Sequence, residues 1–211
     1  MQIDPAARPV REIYRLLIGC VVPRPIAWVS SLSADGVANL APFSFFTIAG
    51  DDPPLLLFCP LRRPDGAPKD TLRNVQATGE FVIHIVSEPL AAAMNQTAAE
   101  YPYGVDEFAQ AGVTPVPSLR VRPPRVAEAP VAFECCAHRI VELERSAVVI
   151  GRVLLIHLRD EVYHEGYIQL AALQPIARLA GNSYARVTDT FELARPGGAS
   201  AAPPTPAPPD A

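Results

Sequence analysis

Lys69 is the sole lysine among the 18 basic residues of this 211-residue chain, and it stands directly before Asp70-Thr71, where the sequence predicts a helix start. A helix N-terminus offers unpaired N–H groups and the positive end of a dipole. A compact ammonium and a threonyl hydroxyl beside it form a set that could hold a phosphate dianion. The same residues also suit an ordinary cap, with Asp70 or Thr71 closing the helix and Lys69 in solvent. Asp70 would repel a phosphate at contact, which directs it to the cap or to the edge of a bound ligand.

A second set lies between Arg24 and Phe46. Ser30 and Ser31 are consecutive in a predicted strand, so they face opposite sides and only one side chain can meet a ligand. Ala41-Pro42-Phe43-Ser44 follows, where Pro42 ends regular pairing or marks a sheet edge. Apolar faces beside free backbone and hydroxyl groups suit a flat, partly polar ligand; a plain hairpin with a Pro-terminated strand accounts for the same residues. Asn182 and Tyr184 follow Gly181 in a late loop. Arg24, Arg73 and Asn74 flank these motifs as candidates for ligand contacts or salt bridges. His84 and His157 lie in apolar strands and read as core or interface residues, His138 and His164 as surface ones. No Gly-x-Gly-x-x-Gly, Gly-x-Ser-x-Gly or His-Glu-x-x-His occurs, and no catalytic residue or metal site is expected.

The elements that must position these groups are mostly strands. Ile26–Leu32 and Val37–Ala41 flank the Asp35-Gly36 turn signal. Leu55–Cys59, Glu80–Val86, Val131–Leu143 and Val148–Leu158 are further strands, and Ser183–Val187 forms a short last one. Pro9–Leu17 reads as an amphipathic helix stopped by Gly19, its apolar stripe lying against the sheet. Thr71–Thr78 is a helix ended by Gly79, Pro89–Ala99 an alanine-rich one, and the irregular stretch 101–124 carries a short helix at Asp106–Ala111. Pattern alone supports an α+β or β-barrel domain over residues 1–195, followed by a disordered Pro/Ala-rich tail over 196–211.

A hydrophobic fraction of 49% supports one sizeable core, and a net charge of −4 argues against nucleic-acid or membrane-surface partners. No apolar run reaches the roughly 18 residues of a membrane span, and the start lacks a secretory pattern, so a cytoplasmic protein is expected. Cys20, Cys59, Cys135 and Cys136 lack metal-binding spacing and are expected as buried, reduced thiols.

Pro23-Arg24-Pro25-Ile26-Ala27, Ser30-Ser31, Asn39-Leu40-Ala41-Pro42-Phe43-Ser44, Asp52-Pro53-Pro54, Lys69-Asp70-Thr71 and Gly181-Asn182-Ser183-Tyr184 occur in this order. The string resembles the FMN-binding split-barrel family of flavin reductase-like proteins. The resemblance implies a mainly β, Greek-key split barrel of six or seven strands with short peripheral helices, paired as a homodimer. It also implies FMN, with FAD the weaker choice, and NADH or NADPH as co-substrate for hydride transfer to the flavin. In it, Ala41 to Ser44 run along the isoalloxazine, Ser30 or Ser31 adds a contact, Lys69, Asp70 and Thr71 lie at the flavin site, and Asn182 and Tyr184 close over the cofactor. A monooxygenase that consumes reduced flavin is the partner it suggests. A flavoredoxin-like electron carrier shares these motifs, and so would a barrel that has lost its flavin.

Overall fold

A computed structural model describes residues 1–194 and 196–197, and residues 198–211 of the expected tail lie outside the described residues. Seven strands form one antiparallel sheet: β1 (Ala27–Leu32), β2 (Ala38–Phe43), β3 (Phe46–Asp51), β4 (Pro54–Phe58), β5 (Glu80–Ile85), β6 (Val131–Glu142) and β7 (Ala147–Leu158). Their order is β2-β1-β5-β6-β7-β4-β3, so β2 and β3 occupy opposite edges. In a flat sheet those edges would stand roughly 29 Å apart. Yet β2 ends at Phe43 and β3 begins at Phe46, a step that spans about 10 Å at most. The sheet must therefore curl until its edges meet. They do meet: the Phe43 and Phe58 rings are 5.1 Å apart between centroids, and Cys59 N–H donates to the Phe45 carbonyl at 2.8 Å. No ladder joins β2 to β3, which leaves the barrel split along that seam.

Period-two alternation fills the interior. Ala27 and Val29, Leu56 and Phe58, Phe81 and Ile83, and Ala147 and Val149 all point inward, with Leu72 and Val75 of helix α2 closing one end. The helices are α1 (Val10–Cys20), α2 (Asp70–Thr78), α3 (Ala91–Gln96), α4 (Glu107–Ala111) and α5 (Leu170–Leu173). None is long and apolar enough to cross a membrane. The other face of β1 packs Trp28 and Ile26 against Leu40, Val86, Met94 and Phe108, which seats α3 and α4 beside β2. Trp28 Nε1–H donates to Thr97 Oγ1 at 2.9 Å.

His84 is buried as expected. Its Nε2 accepts from Val126 N–H at 3.0 Å, which assigns the proton to Nδ1 and hence a bond to the Trp28 carbonyl at 2.8 Å. Burial pulls its pKa down to about 4, so it is a neutral structural imidazole. His157 pairs with buried Glu134 on β6, and that carboxylate also receives the Leu119 and Arg120 amides, tying down the irregular stretch before Pro124.

Several expectations change. β3 was not expected as a strand: it is an exposed edge with a register shift between Ile48 and Gly50, which erases clean alternation. Helix α1 runs through Gly19 to Cys20 instead of stopping. The Arg24 guanidinium takes the Ile18 and Val21 carbonyls at 2.7 and 2.5 Å, satisfying groups that otherwise favour termination. Nor does α1 pack its apolar stripe inward: it has no buried residue, and Leu17 is 57% exposed. The four cysteines are free, but only Cys135 is buried: Cys20 is exposed with α1, and Cys59 and Cys136 are half-buried. A last ladder pairs β8 (Ile176–Arg178) with β9 (Tyr184–Arg186).

Gly151 on β7 lies under the Phe81 ring, and a Cβ there would run into it. Overpacking of this kind costs about 1–3 kcal/mol. Gly151→Ala is expected to lower the urea midpoint accordingly at unchanged m-value; a native midpoint would show that the ring moves aside freely.

Candidate functional site

A cleft of about 470 Å³ opens beside the β2 edge. Its floor is set by strand parity. Leu40 N–H points away from β1, because it donates to Glu107 Oε2 on α4 at 3.0 Å. Pro42, two residues on, shares that outward orientation and has no N–H to present. This pair therefore has no free outward donor, and Pro42, which lines the cleft, has only its carbonyl to present.

Helix α2 supplies one wall. It begins at Asp70, with Lys69 as an N-cap that makes no side-chain capping bond. The first amides of the helix are thus left without a cap, and Lys69, Asp70 and Thr71 line the cleft. Asp70 neither caps the helix nor stands free: Arg63 holds it at 3.0 Å. Thr71 Oγ1 accepts from Asn39 Nδ2 at 3.0 Å, which locks the helix start to β2. Lys69 forms no ion pair among the described residues.

Eight of the eleven expected residues line this cleft: Ala41, Pro42, Phe43, Ser44, Lys69, Asp70, Thr71 and Tyr184. Three do not. Ser30 is fully buried and donates to the Pro124 carbonyl at 2.6 Å, while Ser31, on the opposite face, accepts from Asn74 Nδ2 at 3.1 Å. These hydroxyls fix β1 to its neighbours from behind. Asn182 is exposed in the β8–β9 turn and lies outside the lining. Tyr184 donates to Asn95 Oδ1 at 3.3 Å, and the Arg178 guanidinium stacks 4.5 Å from its ring centroid.

The flanking candidates are engaged elsewhere. Arg24 bonds the Ile18, Val21 and Leu179 carbonyls and reaches Ser44 Oγ at 3.5 Å. Arg73 sits over Tyr103, and Asn74 serves Ser31. The lining residues that the sequence reading missed include Asn39, Arg63, Glu107 and Arg178. Asn39 lay within a quoted motif; the other three carry no local signal and arrive through topology. Glu107 is 6% exposed. Burial, reinforced by the charges of Asp70 and Asp106, pushes its pKa up to about 7, against the pull of the Leu40 and Glu107 amides.

A family model described as "Flavin reductase like domain" matches residues 18–173. An uncharacterized protein of Halalkalibacterium halodurans is 42% identical over 202 residues, covering 93% of this chain and 97% of its own length. Among solved structures, nitrilotriacetate monooxygenase component B from Bacillus cereus is 39% identical with a TM-score of 0.89, covering 92% of this chain and 98% of that one. The 2-nitrobenzoate 2-nitroreductase of Pseudomonas fluorescens is 32% identical with a TM-score of 0.85, covering 96% and 100%.

A carboxyl whose folded pKa is raised contributes stability that is full below its unfolded value and is lost as pH rises through the folded one. For Glu107 that window runs from its ordinary 4.5 to about 7. Glu107→Gln, which mimics the neutral acid, is expected to gain on the native chain by up to about 3 kcal/mol across this window. Urea midpoints of both proteins at the two ends measure it; a constant difference would refute the assignment.

Proposed function

This chain belongs to the flavin reductase-like domain family, and we propose that it binds FMN in the β2–α2 cleft and reduces it with NADH or NADPH. The observation that carries the reading is the juxtaposition of Lys69, free of any carboxylate among the described residues, with the uncapped start of α2 and the Ala41–Ser44 backbone. An ammonium and helix amides suit the phosphate, and an apolar, carbonyl-bearing strand edge suits the ring. The volume lies within the roughly 300–1,000 Å³ range of small-molecule sites.

Lys69 and the Asp70 and Thr71 amides would hold the phosphate, with Arg63 neutralising Asp70 so that its carboxylate does not oppose the anion. Ala41 to Ser44 would lie along the ring, and Tyr184 would flank it. Ser30 and Ser31 act at one remove, by fixing β1 against the loop at Pro124 and against α2. Asn182 is assigned to the turn that presents Tyr184. Bound flavin supplies the hydride-accepting chemistry, so the protein needs to orient and shield rather than provide a nucleophile or base.

Two further features fit this reading. The exposed face of α1 and the outward residues Leu154, Ile156 and Leu158 of β7 present apolar surface, which we assign to a homodimer. The Bacillus cereus relative is a monooxygenase component and the Pseudomonas fluorescens one a nitroreductase. Flavin reduced in this cleft would correspondingly serve a cytoplasmic monooxygenase partner or a small electron-poor acceptor.

Mixing the protein with FMN and each nicotinamide nucleotide should give nucleotide oxidation above the flavin-only control. Retained flavin without turnover would instead identify an electron carrier, and a colourless protein that binds no FMN would end the proposal. Lys69→Ala should weaken FMN binding about 10- to 100-fold, the loss of one charged hydrogen bond, at an unchanged unfolding midpoint. An unaltered Kd would remove Lys69 as the phosphate anchor.

A further inference from the structure

Glu107 is a buried carboxyl in the wall of the cleft, outside every motif that marks the site. Oε2 is taken by Leu40 N–H, and Oε1 has no side-chain partner among the described residues. The charges around it are unfavourable to an anion. Asp70 faces it from α2 and Asp106 from the start of its own helix; Glu100 and Arg178 line the same cleft, while β2 and α3 carry no charged side chain. Arg63 is committed to Asp70, and Lys69, in the same cleft, bonds no carboxylate among the described residues.

We propose that Glu107 meets the bound ligand as the neutral acid, Oε2 keeping the Leu40 amide and Oε1–H donating to an acceptor on an anionic ligand. The inference rests on the flavin reading and deepens it, because it makes cleft occupancy a proton-linked event. The balance is simple: the Glu107 carboxylate takes one proton from solvent as the anion enters, and no electrons move. An ionised Glu107 would join Asp70 and Glu100 as a third carboxylate lining the cleft and could donate nothing to the ligand. Its raised titration near neutrality keeps the proton available at little cost.

Calorimetric titration with FMN at about pH 8, in two buffers of different ionisation enthalpy, counts the protons taken up. The FMN phosphate, whose second pKa is about 6, is already a dianion there and contributes equally in every variant. The native chain should take up a substantial fraction of one proton, and its Kd should rise with pH above about 7 by up to tenfold per unit. Glu107→Gln, which keeps a donor and an acceptor, should bind at least as tightly as the native chain at pH 8, with no pH slope and no such uptake. Glu107→Ala should bind about tenfold more weakly. Gln as weak as Ala, or equal proton counts in native and Gln proteins, would overturn the inference while leaving the flavin reading intact. No binding heat with the native chain would bring down both. If the Gln variant fails to fold, the native pH series decides alone: a flat Kd above pH 7 overturns the proposal, and a rising one supports it.

Discussion

Two residues, Ser44 and Phe45, join strands that sit at opposite edges of a seven-stranded sheet, and this tether shapes everything else. It obliges the sheet to close on itself, and closure is what gives Phe43, Phe58 and Phe81 a common interior. β2 and β3 nevertheless form no ladder with each other, so the seam stays open. A barrel with one unzipped seam exposes a strand edge next to whichever element covers the end of the barrel. Here that element is α2, whose first turn is held against β2 by the Asn39–Thr71 bond. The cleft is thus a geometrical consequence of closure, not an added pocket.

Electrostatics within the cleft follow from which charges are already matched. Arg63 and Asp70 neutralise each other, and Arg178 donates to the Gly181 carbonyl and stacks on Tyr184. Lys69 pairs with no carboxylate among the described residues and stands beside a helix start that has the same polarity. Several arginines, by contrast, are put to structural use. Arg24 is the clearest example, spending its donors on carbonyls that stitch α1 to the loop before β9. A planar fork suits several fixed carbonyls, whereas a compact ammonium suits one mobile anion.

The sequence disclosed much of this and concealed a definable remainder. The central strands were legible to within a residue or so, because alternation is strict where one face meets the barrel interior. β3 was not, since an edge strand with a bulge has little burial to enforce a pattern. The helical periodicity of α1 was correctly read, but its destination was not: amphipathicity says that a face wants cover and not what covers it. Within the site, eight positions were legible through contiguous motifs. Ser30 and Ser31 illustrate the limit, since their polarity signalled a bonded hydroxyl without saying whether its partner was a ligand or the protein itself. Glu107 and Arg178 were illegible because a single carboxylate or guanidinium at the end of a short helix or strand resembles any solvated charge until the chain folds back.

An open strand edge is a hazard as well as an opportunity, because unpaired N–H and C=O groups template pairing with other chains. This chain treats the two groups differently. The outward donor of Leu40 is occupied by the Glu107 carboxyl, and the next outward donor is deleted by Pro42. With these two donors removed, the Leu40–Pro42 part of the edge can no longer satisfy an incoming strand, which needs both partners in alternation. Pro42 keeps its carbonyl and lines the cleft. Glu107 and Pro42, which blunt this edge, are both cleft-lining residues, so strand protection and the hydrogen-bonding character of the cleft wall come from the same side chains.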